Sequence, residues 1–174
     1  TKPEVAGVTF TGNDNVREGK PYTFSLAVDT VHYLAGDMAV KVNGESVALD
    51  TNGSYTIASA SEDIAIVISG VREKETYTVT KVVPEGMDSV TVNGGDTVLE
   101  TDSYQFTVTV PELYNAEEMV VTYRMGEVTE ELEAENGTYT IPGVTGNVTV
   151  TVSGVTKKDV CEVKKPTGKK YTFT

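Results

Sequence analysis

Side chains able to do chemistry are few. One histidine, His32, one cysteine, Cys161, and no tryptophan occur in 174 residues. His32 stands near Asp29 and Asp37 with no second His or Cys beside it, which leaves metal ligation or a catalytic triad without partners. Cys161 has no second cysteine to pair with and falls on an alternating stretch, so it reads as a buried or half-buried strand thiol. Lys157 and Lys158 are near it in sequence, but no activating base is. Oxygen ligands are more plentiful. Asn13-Asp14-Asn15, Asp50-Thr51-Asn52 and Glu62-Asp63 make Asp14, Asp50 and Asp63 candidates for calcium, which prefers such donors. None fits an EF-hand loop, and Asn and Asp are also ordinary residues of tight turns.

Sugar faces rest on exposed aromatic rings, and Tyr33, Tyr114 and Tyr123 are the candidates for such a platform. Glu127, Glu130, Glu131, Glu133 and Glu135 form an acidic run. It suits either a cation or basic partner, or a charged strand edge that resists pairing. Lys41, on a strand, is the one lysine considered for an internal isopeptide bond, but the alternation does not place it inside. No residue emerges as catalytic, and no cofactor is expected beyond calcium. Hydrolases can work with carboxylates alone, but small sandwiches rarely supply the deep cleft they need, so the chain is not expected to be an enzyme.

Charge narrows the partners. The net charge is −12 and the pI about 4.5, which disfavours nucleic acid and anionic membranes. No stretch approaches the ~20 apolar residues of a membrane helix. The opening Thr1-Lys2-Pro3-Glu4 has no initiator Met and no apolar signal core, so the chain reads as a processed or excised piece. Residues 164–174 carry four lysines and no acid.

These residues must be held by strands. Apolar side chains alternate with Thr and Ser at Tyr22, Phe24, Leu26 and Val28, and again at Tyr104, Phe106, Val108 and Val110. The same holds at Ile64, Ile66 and Ile68 and at Val148, Val150 and Val152. Period two with one apolar side predicts antiparallel sheets buried on one face. Asn43-Gly44, Asn52-Gly53, Asn93-Gly94 and Asn136-Gly137 punctuate them as turns. Residues 111–119 are the one place with room for a helical turn.

The chain also matches itself. A shift of 82 lays Val8-Thr9 on Val90-Thr91, Gly12 on Gly94, Asp14 on Asp96, Tyr22 on Tyr104 and Phe24 on Phe106. A shift of 84 lays Asn52-Gly53 on Asn136-Gly137, Tyr55-Thr56-Ile57 on Tyr139-Thr140-Ile141, and Ser69-Gly70-Val71 on Ser153-Gly154-Val155. The expectation is two modules, 1–83 and 84–163, joined at Pro84-Glu85-Gly86. In the first, strands are expected at 5–11, 22–28, 38–42, 46–49, 54–58, 64–69 and 76–83, a spacing that suits a β-sandwich. Tyr22, Tyr55, Tyr104 and Tyr139 recur at fixed positions and read as core. Residues 164–174 form a basic tail, either a terminal strand hairpinned onto 160–164 or the start of a truncated third repeat, since Gly168-Lys169-Lys170-Tyr171-Thr172-Phe173 restates Gly19-Lys20-Pro21-Tyr22-Thr23-Phe24.

The run from Asn136 to Val152, Asn-Gly-Thr-Tyr-Thr-Ile-Pro-Gly-Val-Thr-Gly-Asn-Val-Thr-Val-Thr-Val, resembles a recurrent segment of tandem bacterial immunoglobulin-like repeats. So does the opening at Gly19 to Phe24. Such repeats occur in large secreted and surface proteins of Gram-positive gut bacteria. The first copy departs from the pattern where Ala58-Ser59-Ala60 replaces Pro142-Gly143-Val144. The resemblance implies two tandem immunoglobulin-like β-sandwich modules in an all-β chain. It also implies an extracellular or cell-wall attached parent, and a non-catalytic spacer or adhesion role toward protein or glycan at a cell surface. The alternative is a carbohydrate-binding accessory module. A monomer without membrane insertion is expected of this piece.

Overall fold

Residues 2–164 are described by the computed structural model. The chain is all-β and, among the described residues, contains no helix. It divides into two compact units, Thr1–Thr76 and Tyr77–Thr174.

The first unit holds β1 (Val8–Gly12), β2 (Tyr22–Val28), β3 (Tyr33–Leu34), β4 (Ala39–Val42), β5 (Glu45–Ser46), β6 (Tyr55–Ile57), β7 (Ile66–Ser69) and β8 (Arg72–Glu73). They form a β1-β2-β6 sheet, a β5-β4-β7 sheet and a β3-β8 ribbon, with every pair antiparallel. The alternation in sequence becomes alternation in burial. Tyr22 and Phe24 are buried while Thr23 is exposed, and Val40 and Val42 are buried while Lys41 is exposed. Phe24 stacks between Phe10 and Tyr55, with ring centroids 5.2 Å away on each side. Stacked pairs of this kind add about 0.5–1.5 kcal/mol beyond the area they bury. Val40, Val42, Ile66 and Ile68 of the other sheet close the core over these rings, which makes the unit a two-sheet sandwich. Asn43 and Gly44 both have positive φ (49° and 90°), the requirement of the two-residue hairpin that joins β4 to β5.

The second unit holds β9 (Thr76–Val82), β10 (Thr91–Asn93), β11 (Thr97–Leu99), β12 (Tyr104–Thr109), β13 (Tyr114–Asn115), β14 (Val120–Met125), β15 (Val128–Leu132), β16 (Tyr139–Ile141), β17 (Val148–Ser153) and β18 (Thr156–Lys157). Its sheets are β10-β12-β16 and β11-β9-β17-β14-β15, with a β13-β18 ribbon. Phe106 stacks against Tyr139 at 5.2 Å and Tyr104 at 5.6 Å. Ile141, Val144, Val148 and Val150 are fully enclosed.

Two expectations change. The strand expected to end the first module is β9, and it lies in the second unit's sheet, parallel to β17 with Val79 opposite Val148. The cause is local. The side-chain oxygen of Asn147 accepts bonds from the Thr78 amide and hydroxyl (2.9 and 3.0 Å), and Val79 is buried in that unit's core. Residues 111–119 form turns around the short β13 rather than a helical turn. Lys41 points outward, away from the buried setting an isopeptide bond requires.

Gly70 and Gly154 follow β7 and β17 with φ of 80° and 71°. A Cβ on either would run into backbone, the carbonyl oxygen of Asp37 or of Glu118. Only glycine meets both demands.

Candidate functional site

Each candidate residue has a definite setting. Asp14 is exposed and pairs with Lys2, whose amine holds its carboxyl below the usual carboxylate range. Asp50 builds a turn: its Oδ1 accepts from the amides of Asn52 and Ser54, both at 2.9 Å. Beside Asp63, the Asn43 side chain ties two strand ends together, donating to Glu62 Oε1 (3.0 Å) and the Asp63 carbonyl (3.1 Å) and accepting from the Ala65 amide (2.7 Å). Asp14 and Asp63 border one groove and Asp50 does not, and no group of three His, Cys, Asp or Glu suited to a metal occurs among the described residues. His32 is exposed, with Nδ1 2.9 Å from Asp29 Oδ2, and this bond lowers the Asp29 pKa.

The tyrosine platform needs correction. Tyr114 and Tyr123 are buried in the second unit's core. Tyr114 shares a hydrogen bond with Ser89 (3.1 Å), and Tyr123 donates to Glu130 Oε2 (2.9 Å). Burial, and then the Glu130 bond, push the Tyr123 phenol above its ordinary pKa. Tyr33 is partly buried, with its ring packed against Gly7. The signal for this was present in the sequence. A shift of 81 lays Tyr33, Ala35 and Met38 on Tyr114, Ala116 and Met119, so Tyr114 holds a repeated position. Cys161 is exposed and outside any strand, not half-buried within one. Its segment has no strand partner among the described residues to cover it. The tail expected at 164–174 lies outside the described residues apart from Lys164, which is exposed.

Two residues of the acidic run, Glu130 and Glu131, lie on β15, which ends the five-stranded sheet, and Glu127, Glu133 and Glu135 flank that strand. Charge there repels an incoming strand.

The concave feature that sequence reasoning missed is in the first unit. A groove of about 630 Å³ runs beside β7. Val16, Tyr22, Ile64 and Ile66 contribute its apolar lining, while Asp14, Glu18, Glu62 and Asp63 make its polar walls acidic. β7 pairs with β4 and, among the described residues, with no other strand. In the second unit β9 occupies the matching flank of β17. There Lys81 Nζ grips the Gly94 carbonyl and Asp96 Oδ1, both at 2.7 Å, and lowers the Asp96 pKa. The groove thus combines a greasy floor with negative walls.

Comparison with protein-family models, with curated proteins and with solved structures finds no match. No helix among the described residues is long and apolar enough to cross a membrane.

Proposed function

We propose that the chain is a tandem of two immunoglobulin-like β-sandwich modules serving as a non-catalytic spacer or adhesion segment of a larger bacterial surface or secreted protein. The supporting observation is the agreement between the units. Sheet β1-β2-β6 has the order and register of β10-β12-β16: Tyr22 faces Ile57 and Phe24 faces Tyr55, as Tyr104 faces Ile141 and Phe106 faces Tyr139. The order β5-β4-β7 recurs as β15-β14-β17, and ribbon β3-β8 as β13-β18. The Tyr22 hydroxyl donates to the Asn13 carbonyl and the Tyr104 hydroxyl to the Gly95 carbonyl, each at 2.7 Å across nine residues.

Such modules suit a spacer because each folds on a core of its own, and high net negative charge keeps them soluble. The carbohydrate-binding alternative loses two of its three aromatic candidates to the core. The test is single-molecule stretching of the whole chain. Two separate unfolding steps are expected, each releasing roughly 25–35 nm of chain at ~3.5 Å per residue. A single step releasing the full length would sink the tandem reading.

A further inference from the structure

We propose that Asn136-Gly137 is a site of spontaneous deamidation, where the chain converts an asparagine into isoaspartate or aspartate without an enzyme, while the like turn at Asn43-Gly44 is protected. The chain has four Asn-Gly steps, at Asn43, Asn52, Asn93 and Asn136. In each, the following residue has no side chain to shield its amide nitrogen, so sequence alone makes the four equally reactive. The reaction needs only solvent. A solvent base takes the proton of the Gly137 amide, and the nitrogen attacks the side-chain carbonyl carbon of Asn136, Cγ. A C–N bond forms, the Cγ–Nδ2 bond breaks, and Nδ2 leaves as ammonia from a succinimide ring. Water then opens either ring carbonyl, leaving isoaspartate or aspartate. Closing the ring requires an unengaged glycine amide, an asparagine side chain free to swing, and a turn that opens locally.

Asn136 meets all three demands. Asn136 and Gly137 are exposed and form a two-residue turn with φ of 51° and 80°. The turn is closed by the reciprocal bonds of Glu135 and Thr138 (2.9 and 3.0 Å), an isolated bridge outside any strand. Among the described residues, nothing hydrogen-bonds the Asn136 side chain or the Gly137 amide. Asn43-Gly44 has nearly the same backbone, with φ of 49° and 90°, but it closes the β4-β5 pair and its side chain is clamped. Oδ1 accepts from the Ala65 amide (2.7 Å), while Nδ2 donates to Glu62 Oε1 (3.0 Å) and the Asp63 carbonyl (3.1 Å). Local charge does not separate the two, since Glu45 and Glu62 attend one turn and Glu133 and Glu135 the other. The remaining sites are intermediate. The Gly53 amide spends its hydrogen on the Asp50 carbonyl (3.1 Å), and Asn93, on β10, donates to Thr109 Oγ1 (2.9 Å). Conversion at Asn136 adds a carboxylate beside Glu135, on a flank that is already acidic, and loss of ammonia makes the change one-way. Isoaspartate also lengthens the backbone of the turn by one carbon.

The experiment incubates the whole chain in mildly alkaline buffer and digests it under acidic conditions. Mass spectrometry then follows the gain of one mass unit, and the isoaspartate content, of each Asn-Gly peptide. Asn136 should convert first. Three side-chain hydrogen bonds, each worth a factor of about five, should make Asn43 slower by about a hundredfold. In urea strong enough to unfold both units the four rates should draw together, since only the fold separates them. Glu62→Ala removes one bond of the clamp and should speed Asn43 about fivefold while leaving Asn136 unchanged. Glu62→Gln, which keeps an acceptor, should leave both rates in place, and near-ultraviolet dichroism verifies that the variants are folded. Equal rates at Asn136 and Asn43 in the folded chain, no conversion at Asn136, an order that survives urea, or an Asn43 rate untouched by Glu62→Ala would each overturn the proposal.

Discussion

The first and second units share a Tyr-Phe-Tyr cluster, to which the first adds Phe10, and the same strand orders, yet they differ in how one sheet ends among the described residues. In the second unit β9 and β11 extend the sheet to five strands and bury Val79. In the first, among the described residues, the same sheet ends at β7, beside a groove. The second unit's core also encloses more side chains completely: Phe106, Val121, Ile141, Val144, Val148, Val150 and Val152 there, against Phe24 in the first. A repeated sequence therefore does not imply equal stability. One added strand changes what an otherwise similar sandwich buries and which edge it exposes.

Core truncation should separate the units most. Phe24→Ala and Phe106→Ala each remove a nearly inaccessible ring, at a cost of about 3–5 kcal/mol. Against a domain stability of about 5–15 kcal/mol, that loss should remove most of the margin of the less enclosed first unit and bring its urea midpoint close to zero. Phe106→Ala should only move the second unit's urea midpoint downward. Residue-resolved NMR in urea reads both, and equal responses would erase the distinction.

Gly70→Ala and Gly154→Ala come next. Each forces a side chain onto a positive φ and into a carbonyl, so each should cost more than about 1 kcal/mol. The surroundings match, so the losses should match, as paired urea titrations would show.

The smallest effect concerns lysine. Lys81→Met should lower the second unit's midpoint more than Lys2→Met lowers the first, because the Lys81 side chain is the less exposed of the two. The pH dependence has a definite sign. Lys81 depresses the Asp96 pKa, so this stabilisation is present above the unfolded carboxylate value of about 3.9 and fades as pH falls through the lower folded value. The second unit of the parent chain should lose that increment below about pH 4, and Lys81→Met should have none to lose.

Period-two alternation made the sandwich legible, because the hydrophobic effect writes burial directly into side-chain order. Tyr22, Tyr55, Tyr104 and Tyr139 could be placed in the core because they recur at fixed spacing. Tyr114 and Tyr123 escaped because the middle of the repeat slides to a shift of 81, where Tyr33 and Val42 are their counterparts. The address of β9 was not legible. An alternating strand states which face is apolar but not which neighbour it joins, and here the answer rests on Asn147 and Asp96, which bond Thr78 and Lys81 from 69 and 15 residues further along the chain. The groove was hidden for the same reason, since its lining gathers residues 13–22 and 60–66, which are distant in sequence.

The parallel pairing of β9 and β17 has a mechanical consequence. β9 opens the second unit and β17 lies near its end, so tension along the chain drags them in opposite directions within the plane of the sheet. Once the two-residue β18 has peeled away, the ladder from Val79 to Val82 against Val148 to Thr151 is loaded in shear, and its bonds must fail together rather than unzip. The first unit has no such clasp among its described residues, so under a steady pull it should give way first and shield its neighbour.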